Sequence, residues 1–310
     1  MPITLIENFR AVFYAPFYAA FALGAYRDEG VEVEHKISPA PSDTAKALLA
    51  GGGDVAWGGP MQVLVAGDAD PACGLVSFCE VVRRDPFFIV GRGPAPGESV
   101  SDLMGGLMDK RVATVSEVPT PWMCLQNDLR LAGADPGALD RIADQTMAEN
   151  AAALRAGEID AAQVFEPLAE ELTGQPELEI WYAAADRGLT TYTTFNTTRA
   201  FISREPDALL AMTRAMHRTQ KWIASHDAGA FAECIASYLP DLTREILTAS
   251  LGRYLSLGIW NESPVMEREG YDRLREACIS GGLIRSGIPY GEGGDMRFAE
   301  AVGKENPAPI

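Results

Sequence analysis

The sequence has few of the residues that build metal centres and disulfide frameworks. Its 310 residues include only three histidines and five cysteines. The cysteines form no CxxC pair, and they are Cys73, Cys79, Cys124, Cys234 and Cys278. An odd number of widely spaced cysteines is typical of buried free thiols in a reducing compartment. We therefore expect no metal site, no cofactor and no disulfide framework.

Long hydrophobic runs and clustered positive charge are also missing. No apolar stretch approaches the roughly 18 residues of a membrane span, and the segment from Ala11 to Ala25 is too short and too aromatic for that role. The first residues, Met1 to Ile6, lack the basic and apolar regions of an export signal. A formal net charge of −17 argues against binding to nucleic acid or anionic membranes. We expect neither kind of partner and no membrane span.

What the sequence does contain is one segment twice. Residues 47–56 read ALLAGGGDVA, residues 153–162 read ALRAGEIDAA, and each copy soon reaches a proline, Pro60 or Pro167. The glycine suits a helix C-cap and the proline a first helical turn, so each copy predicts a helix, a short strand and a second helix. Such spacing is ordinary in α/β proteins, whose ligands bind beyond the carboxyl ends of parallel strands. Two copies in the same order favour two α/β lobes that face each other across a cleft.

The remaining hydrophobic pattern predicts further strands and helices. The predicted strands are Ile3–Ile6, Val31–Ile37, Gly74–Val82, Phe87–Val90, Lys110–Val115 and Ile180–Ala183. One helix is expected to reach about Arg27, with Pro16 in its first turn, and another to cover residues 122–131. Residues from Pro206 onward show helical spacing and are expected to pack on the first lobe. The stretch after Ile288 is expected to wrap the surface, with a mobile end at residues 304–310.

Two segments are expected to connect the lobes. The sequence Arg83-Arg84-Asp85-Pro86 is charged, and its proline favours an extended chain, which suits a crossing between lobes. The Thr- and Tyr-rich run at residues 190–198 is the expected return crossing. We therefore predict that residues 1–84 and 196–310 form lobe 1, including the C-terminal helices, and that residues 85–195 form lobe 2.

Several of these segments, in this order, resemble a known family. They include GAYRDEGVEV at residues 24–33, GDVA at 53–56, SDL at 101–103 before KRV at 110–112, AGEIDA at 156–161 and FEP at 165–167. The chain resembles the solute-binding proteins of ABC transporters for alkanesulfonates, nitrate, taurine and formylated aminopyrimidines, together with the related thiamine-pyrimidine synthases. The resemblance covers nearly the whole chain. It implies an α/β type II periplasmic-binding fold, in which each lobe is a mixed, mostly parallel sheet flanked by helices.

The resemblance also implies a set of ligand-binding residues in the cleft between the lobes. One wall would comprise loops that contain Arg10, Phe13, Tyr14, Ser42, Asp43, Trp57, Gly58 and Gly59. The other wall would comprise Ser116, Pro119, Thr120, Phe165 and Glu166, with Tyr192 near the hinge. No residue of the chain is expected to be catalytic.

The chemistry of these residues favours an aromatic or heteroaromatic ligand of mixed polarity. Helix N-termini and Arg10 favour a carboxylate, sulfonate or amide oxygen, whereas Glu166 suits an amine or a ring N–H. Aromatic side chains such as Trp57 offer flat stacking surfaces. Each residue also has a structural alternative: Arg10 as a solvated charge, Trp57 as a core residue, and Glu166 as a carboxylate that caps a helix N-terminus.

Binding is the expected role, although some proteins of this fold are enzymes. The desulfinases that resemble it use a cysteine in the loop after the first strand and an arginine before a paired glycine. Here residues 7–14 contain no cysteine, and Ala56 precedes Trp57-Gly58-Gly59. The segment Ser77-Phe78-Cys79-Glu80 does not reproduce the cysteine-rich motif of the synthases. Without a nucleophile, base or metal set, we expect a binding protein.

The resemblance further implies partners and a compartment. We expect a monomer that binds a small molecule as the substrate-binding component of an ABC transporter, with a permease as its protein partner. The family role implies the periplasm, whereas the chain as written, without an export signal and with five cysteines, implies the cytoplasm. The alternative function is a cytoplasmic enzyme or sensor on the same fold, similar to the thiamine-pyrimidine synthases.

Overall fold

The alternating hydrophobic segments form strands that are flanked by helices along most of the chain. The structure, a computed structural model, describes residues 2–310. Within these residues the strands are β1 (Ile3–Glu7), β2 (Val33–Ile37), β3 (Val55–Gly58), β4 (Leu75–Val82), β5 (Phe88–Arg92), β6 (Arg111–Ala113), β7 (Asp140–Ile142), β8 (Ala161–Val164), β9 (Leu178–Ala183) and β10 (Thr193–Thr198).

Helices connect the strands and form the C-terminal part of the described chain. They are α1 (Ala15–Ala22), α2 (Ala25–Asp28), α3 (Thr44–Leu49), α4 (Met61–Ala69), α5 (Val100–Leu107), α6 (Thr120–Leu131), α7 (Met147–Ala156), α8 (Leu168–Thr173), α9 (Arg199–Arg204), α10 (Pro206–Ala224), α11 (Ala228–Ile235), α12 (Arg244–Leu257), α13 (Arg268–Ser280), α14 (Tyr290–Gly293) and α15 (Arg297–Glu305). In the described part of the chain no helix is long and apolar enough to cross a membrane.

The strands form two five-stranded sheets of matching topology. The first has the order β2-β1-β3-β10-β4 and the second the order β7-β6-β8-β5-β9. In each sheet the first three strands are parallel, and the fourth is antiparallel to both of its neighbours. The carboxyl ends of the parallel strands therefore form one edge of each sheet, where ligand-binding loops are expected. This α/β architecture of two mixed sheets confirms the expected fold class.

The duplicated segment builds the same local structure in both sheets. Gly51 and Gly157 follow helices with φ of 75° each, and β3 and β8 are both four residues long. The carboxylate in each copy accepts a backbone N–H of the neighbouring strand: Asp54 from Thr4 at 2.9 Å and Asp160 from Arg111 at 2.8 Å. The two acidic residues thus have the same role, which is to fix the register of a parallel pair.

The antiparallel strand of each sheet is supplied by a chain segment that has just left the other sheet. After β4 the chain passes through residues 83–87 into β5, and after β9 it passes through residues 184–192 into β10. The expectation that residues 190–198 form only a crossing is wrong for their second half, because Thr193–Thr198 pair with β3 and β4. Because their backbone pairs with strands on both sides, residues 193–198 are a strand inside the first sheet.

Two further expectations are corrected by helix boundaries. The predicted helix up to Arg27 is broken at Gly24, which has φ of 72° and separates α1 from α2. The segment after Ile288, expected to wrap the surface as a tail, contains α15, which buries Phe298, Ala299 and Val302 against the protein. Its amphipathic spacing places these three side chains on one helical face, and Arg214 of α10 pairs with Glu305 at 2.9 Å.

Candidate functional site

A cavity of about 540 Å³ lies between the loops of the two sheets. The loops that line it follow the carboxyl ends of parallel strands: Asn8 follows β1, Gly59 follows β3, and Glu117 lies in the loop after β6. This is the position where open α/β sheets bind ligands. The lining residues are Asn8, Phe9, Phe13, Tyr14, Pro41, Ser42, Ala45, Lys46, Leu49, Gly59, Met61, Gln62, Val65, Ala66, Ala69, Asp70, Cys73, Phe87, Glu117, Val118, Pro119, Thr120, Tyr192 and Leu283.

Aromatic rings form one wall of the cavity. Phe13 and Tyr14 lie edge to face with ring centroids 4.4 Å apart, and Phe9 is 5.3 Å from Tyr14. Phe165 of the second sheet's loop packs behind this wall, 5.3 Å from Phe13 and 5.1 Å from Phe87. Because both sheets contribute rings, the wall joins the two halves of the structure and offers apolar faces to a flat ligand.

The hydroxyl groups of two cavity-lining tyrosines are held in their neutral form. Burial raises the pKa of Tyr14 above its usual range, and the side chains of Asn8 and Thr193 lie beside its hydroxyl. Burial also raises the pKa of Tyr192, with a further contribution from the negative charge of Asp85 in the first crossing segment. Tyr192 thus lines the cavity and is the last residue of the return crossing, which covers residues 184–192.

A polar network occupies the part of the cavity nearest the first sheet. Thr44 is buried and donates its hydroxyl to Asn8 Oδ1 at 2.7 Å. Gln62 Nε2 donates to the same oxygen at 3.1 Å and to the carbonyl of Pro41 at 3.2 Å. Gly58 lies beside this network, where a Cβ would be in ordinary van der Waals contact, 3.5 Å from both Asn8 Cγ and Gln62 Nε2.

The charged residues of the lining lie in exposed positions. Lys46 has a side chain that is 75% exposed and lies 3.2 Å from Asp43. Asp70 and Glu117 are also exposed. In the described residues, no group of three or more His, Cys, Asp or Glu is arranged to hold a metal ion. The buried surface of the cavity is thus apolar and hydroxyl- or amide-bearing.

The structure brings half of the predicted site residues to this cavity. Those that line it are Phe13, Tyr14, Ser42, Gly59, Pro119, Thr120 and Tyr192. The predicted residues that do not line it are Arg10, Asp43, Trp57, Gly58, Ser116, Phe165 and Glu166. Gly58 lies beside the polar network, and Phe165 lines an adjoining cavity of about 210 Å³ that shares Phe9, Pro41 and Phe87 with this one.

Trp57 is a core residue, which corrects its predicted stacking role. It is fully buried and stacks on Phe17 at 4.6 Å and on His35 at 5.1 Å. The physical reason is the length of β3, which continues through Trp57 to Gly58 instead of ending before them. A side chain inside a strand packs on a sheet face, whereas the loop after the strand faces the ligand.

Arg10 and Glu166 are engaged by other parts of the protein. Arg10 Nε lies 3.2 Å from the buried Glu7 carboxylate, and its guanidinium also donates to the carbonyl of Tyr238. Glu166 is fully buried, where it pairs with Arg253 of α12 and accepts the backbone N–H of Glu170 at 2.9 Å. The capping alternative describes Glu166, whereas Arg10 is not a free solvated charge but one half of an ion pair with Glu7. Neither residue lines the cavity.

Several lining residues were missed by sequence reasoning. Helix α4 contributes Gln62, Val65, Ala66 and Ala69, whose spacing places them on one helical face. The helical periodicity is visible in the sequence, but a mostly apolar helix face is equally typical of the hydrophobic core. Phe87 follows the proline of the first crossing and carried no local signal of a cavity position.

The protein belongs to a class defined by this fold and cavity. The architecture is that of two-lobed periplasmic binding proteins: it superposes on the periplasmic aliphatic sulphonate binding protein SsuA of Escherichia coli with a TM-score of 0.74, over 94% of this chain and 91% of that chain, at 16% identity. The fold also superposes on the desulfurization enzyme DszB with a TM-score of 0.68, over 98% of this chain and all of that chain (100%), at 13% identity. Binding proteins and an enzyme thus share this architecture.

Sequence comparison places the chain in a family. The NMT1/THI5 like family profile matches residues 12–230, so the chain belongs to this family, in agreement with the expected resemblance. The chain is also 24% identical over 309 residues to YtlA of Bacillus subtilis (strain 168), with 98% of this chain and 90% of YtlA covered. YtlA is described as a binding protein, which agrees with the expectation that the chain is not an enzyme.

Proposed function

We propose that the protein binds a small aromatic or heteroaromatic solute in the cavity, as the substrate-binding component of an ABC transporter. The observation that carries this proposal is the cavity of about 540 Å³, which is lined by loops of both sheets. Its volume suits a single small molecule. The aromatic wall of Phe9, Phe13, Tyr14, Phe87 and Tyr192 supports a flat ligand, because such rings gain from stacking as well as from burial.

The transporter role rests on the relatives. SsuA of Escherichia coli is a periplasmic sulphonate binding protein, and YtlA is described as a binding protein. A protein with this role needs a permease as its partner. Adjacent genes for a permease and an ATPase would support the role, whereas adjacent biosynthetic genes alone would contradict it.

The proposal includes ligand-driven closure of two lobes, formed by residues 1–84 with 196–310 and by residues 85–195. It is supported by the two chain crossings and by a cavity whose walls come from both sheets. A ligand that contacts both walls binds the closed form better than the open form, and this difference shifts the population towards closure. Small-angle scattering that is identical with and without a saturating ligand would contradict closure.

A thermal-shift screen would identify the ligand. Aromatic and heteroaromatic solutes would be compared with aliphatic sulphonates, and hits would be measured by calorimetry. A ligand at 100 times its Kd stabilises the folded state by about 2.7 kcal/mol, which raises the melting temperature by several degrees in a protein of this size. Aliphatic hits with no aromatic hit would contradict the aromatic ligand class.

A matched pair of variants tests the location of the site. Ala45 lines the cavity, whereas Ala50, just beyond the same helix, is exposed outside it. Ala45→Trp is expected to fill the cavity and to weaken binding by more than tenfold, about 1.4 kcal/mol, while Ala50→Trp leaves the affinity within about twofold. Equal affinities of the two variants for the ligand would show that the solute binds elsewhere.

A further inference from the structure

The polar network of the cavity has hydrogen-bond directions that can be assigned. Gln62 Nε2 lies 3.2 Å from the carbonyl of Pro41, and a carbonyl only accepts, so this atom must be the amide nitrogen. The same nitrogen lies 3.1 Å from one terminal atom of Asn8, which must therefore be oxygen. Thr44 donates to that oxygen at 2.7 Å. The network thus orients both amides.

This assignment leaves one donor and one acceptor for a ligand. Both protons of Gln62 Nε2 are used, so its remaining group is the acceptor Oε1. Asn8 Oδ1 already accepts two hydrogen bonds, so the group of Asn8 that remains is the donor Nδ2. The neighbouring Tyr14 hydroxyl can accept one of the two Nδ2 protons, which leaves the other for a ligand. Within residues 2–310 neither Asn8 Nδ2 nor Gln62 Oε1 forms a well-aligned hydrogen bond, and neither atom is completely buried without a partner.

The same cavity has no buried positive charge. Lys46 is the one Lys or Arg in the part of the lining that residues 2–310 provide, and its side chain is 75% exposed beside Asp43. Arg10, which could have supplied a bidentate contact, is held by Glu7. An anion would therefore exchange its hydration for an apolar surface without a buried counter-charge, which is costly.

We propose that Asn8 and Gln62 select ligands that present an uncharged polar edge to them; this inference rests on the proposal that the cavity is the solute site. Such an edge presents an acceptor to Asn8 Nδ2 and a donor to Gln62 Oε1, as a carboxamide or a lactam on an aromatic ring does. A sulphonate, nitrate or carboxylate group offers acceptors only and leaves Gln62 Oε1 facing another lone pair. The cavity therefore selects neutral carboxamides and lactams over the corresponding acids.

Matched ligand pairs test this inference by calorimetry at pH 7. Benzamide is compared with benzoate and with benzenesulfonate, and nicotinamide with nicotinate, so that each ring is constant and only the edge changes. We expect each amide to bind at least tenfold more tightly than the anion with the same ring. An anion that binds as tightly as its amide overturns the inference and leaves solute binding in place. No binding of any member up to about 1 mM overturns it together with the proposed aromatic ligand class.

Two variants with the same substitution test the amide pair. Gln62→Met keeps the side-chain length and removes the acceptor together with the donor that orients Asn8, so amide binding is expected to fall about tenfold. Gln175→Met lies outside the cavity and is expected to leave amide binding within about twofold. Thermal unfolding verifies that both variants are folded. Amide binding by Gln62→Met that stays within about twofold of the unsubstituted protein would overturn the assignment.

Discussion

A buried ion cluster at the crossing segments provides the sharpest prediction about the framework of the site. Arg187, in the return crossing, donates to Asp85 of the first crossing at 2.6 Å and to Asp128 of α6 at 3.0 Å. Tyr182 also donates to Asp128, at 3.1 Å. Since α6 begins at Thr120 in the cavity, this cluster ties both crossings to a helix that lines the ligand site.

Replacement of Arg187 by methionine should be strongly destabilising. The side chain is only 7% exposed, and its removal leaves two buried carboxylates without a cation. Loss of one partner of a buried ion pair typically costs about 3–5 kcal/mol. Arg204→Met is the control, because Arg204 is 61% exposed and lies 3.3 Å from Asp54, a surface pair of a kind that contributes about 0–1 kcal/mol.

Urea unfolding at pH 7 and at lower pH measures this difference. Burial already raises the pKa of Asp85, and Arg187 opposes that rise, so the pKa of Asp85 should be higher still in the variant. A carboxyl whose pKa is raised in the folded state destabilises that state as pH increases, so the variant's deficit should shrink as pH falls. A free energy of unfolding within about 1 kcal/mol of the Arg204→Met control, or a deficit independent of pH, would refute the reasoning.

Two further predictions concern buried or paired carboxylates. Burial raises the pKa of Glu80 from 4.5 to about 8, so the free energy of unfolding should fall with increasing pH between these values, by at most about 1.4 kcal/mol per pH unit. Glu80→Gln should flatten that slope in urea titrations, and an unchanged slope would show that other groups cause it. Asp54→Ala and Asp160→Ala should each cost about 1 kcal/mol, because each removes the acceptor of one strand N–H, at 2.9 and 2.8 Å. Chemical denaturation that finds only one of the two sensitive would contradict their equivalent roles.

Much of the fold was predictable because its signals are local. The glycines at 51 and 157 follow their helices in the left-handed conformation, as the sequence order indicates, and the strand that begins in each copy is short. The short strand β7, by contrast, lacked a pattern strong enough to recognise. Trp57 was assigned to the cavity loops, but it lies within β3 and packs in the core.

The site was only half predictable because charges find distant partners. Arg10 was predicted to bind an anion, but its guanidinium donates to the carbonyl of Tyr238, 228 positions away. Glu166 had an apparent role as a ligand acceptor, but Arg253 of α12 neutralises it. No local sequence pattern identifies such partners, because the fold of the intervening chain decides whether two distant residues come into contact.

The sequence by itself determined the repeated helix–strand–helix unit and the α/β class, because turn residues and hydrophobic periodicity act over a few neighbours. The family followed from the resemblance of ordered segments along the chain. Only the tertiary structure decided which polar groups remain free for a ligand. A buried charge must be paired, and folding placed Arg253 of α12 beside the buried Glu166 and the carbonyl of Tyr238 beside Arg10. What is left in the cavity is the amide pair of Asn8 and Gln62, whose orientation depends on contacts between separate loops.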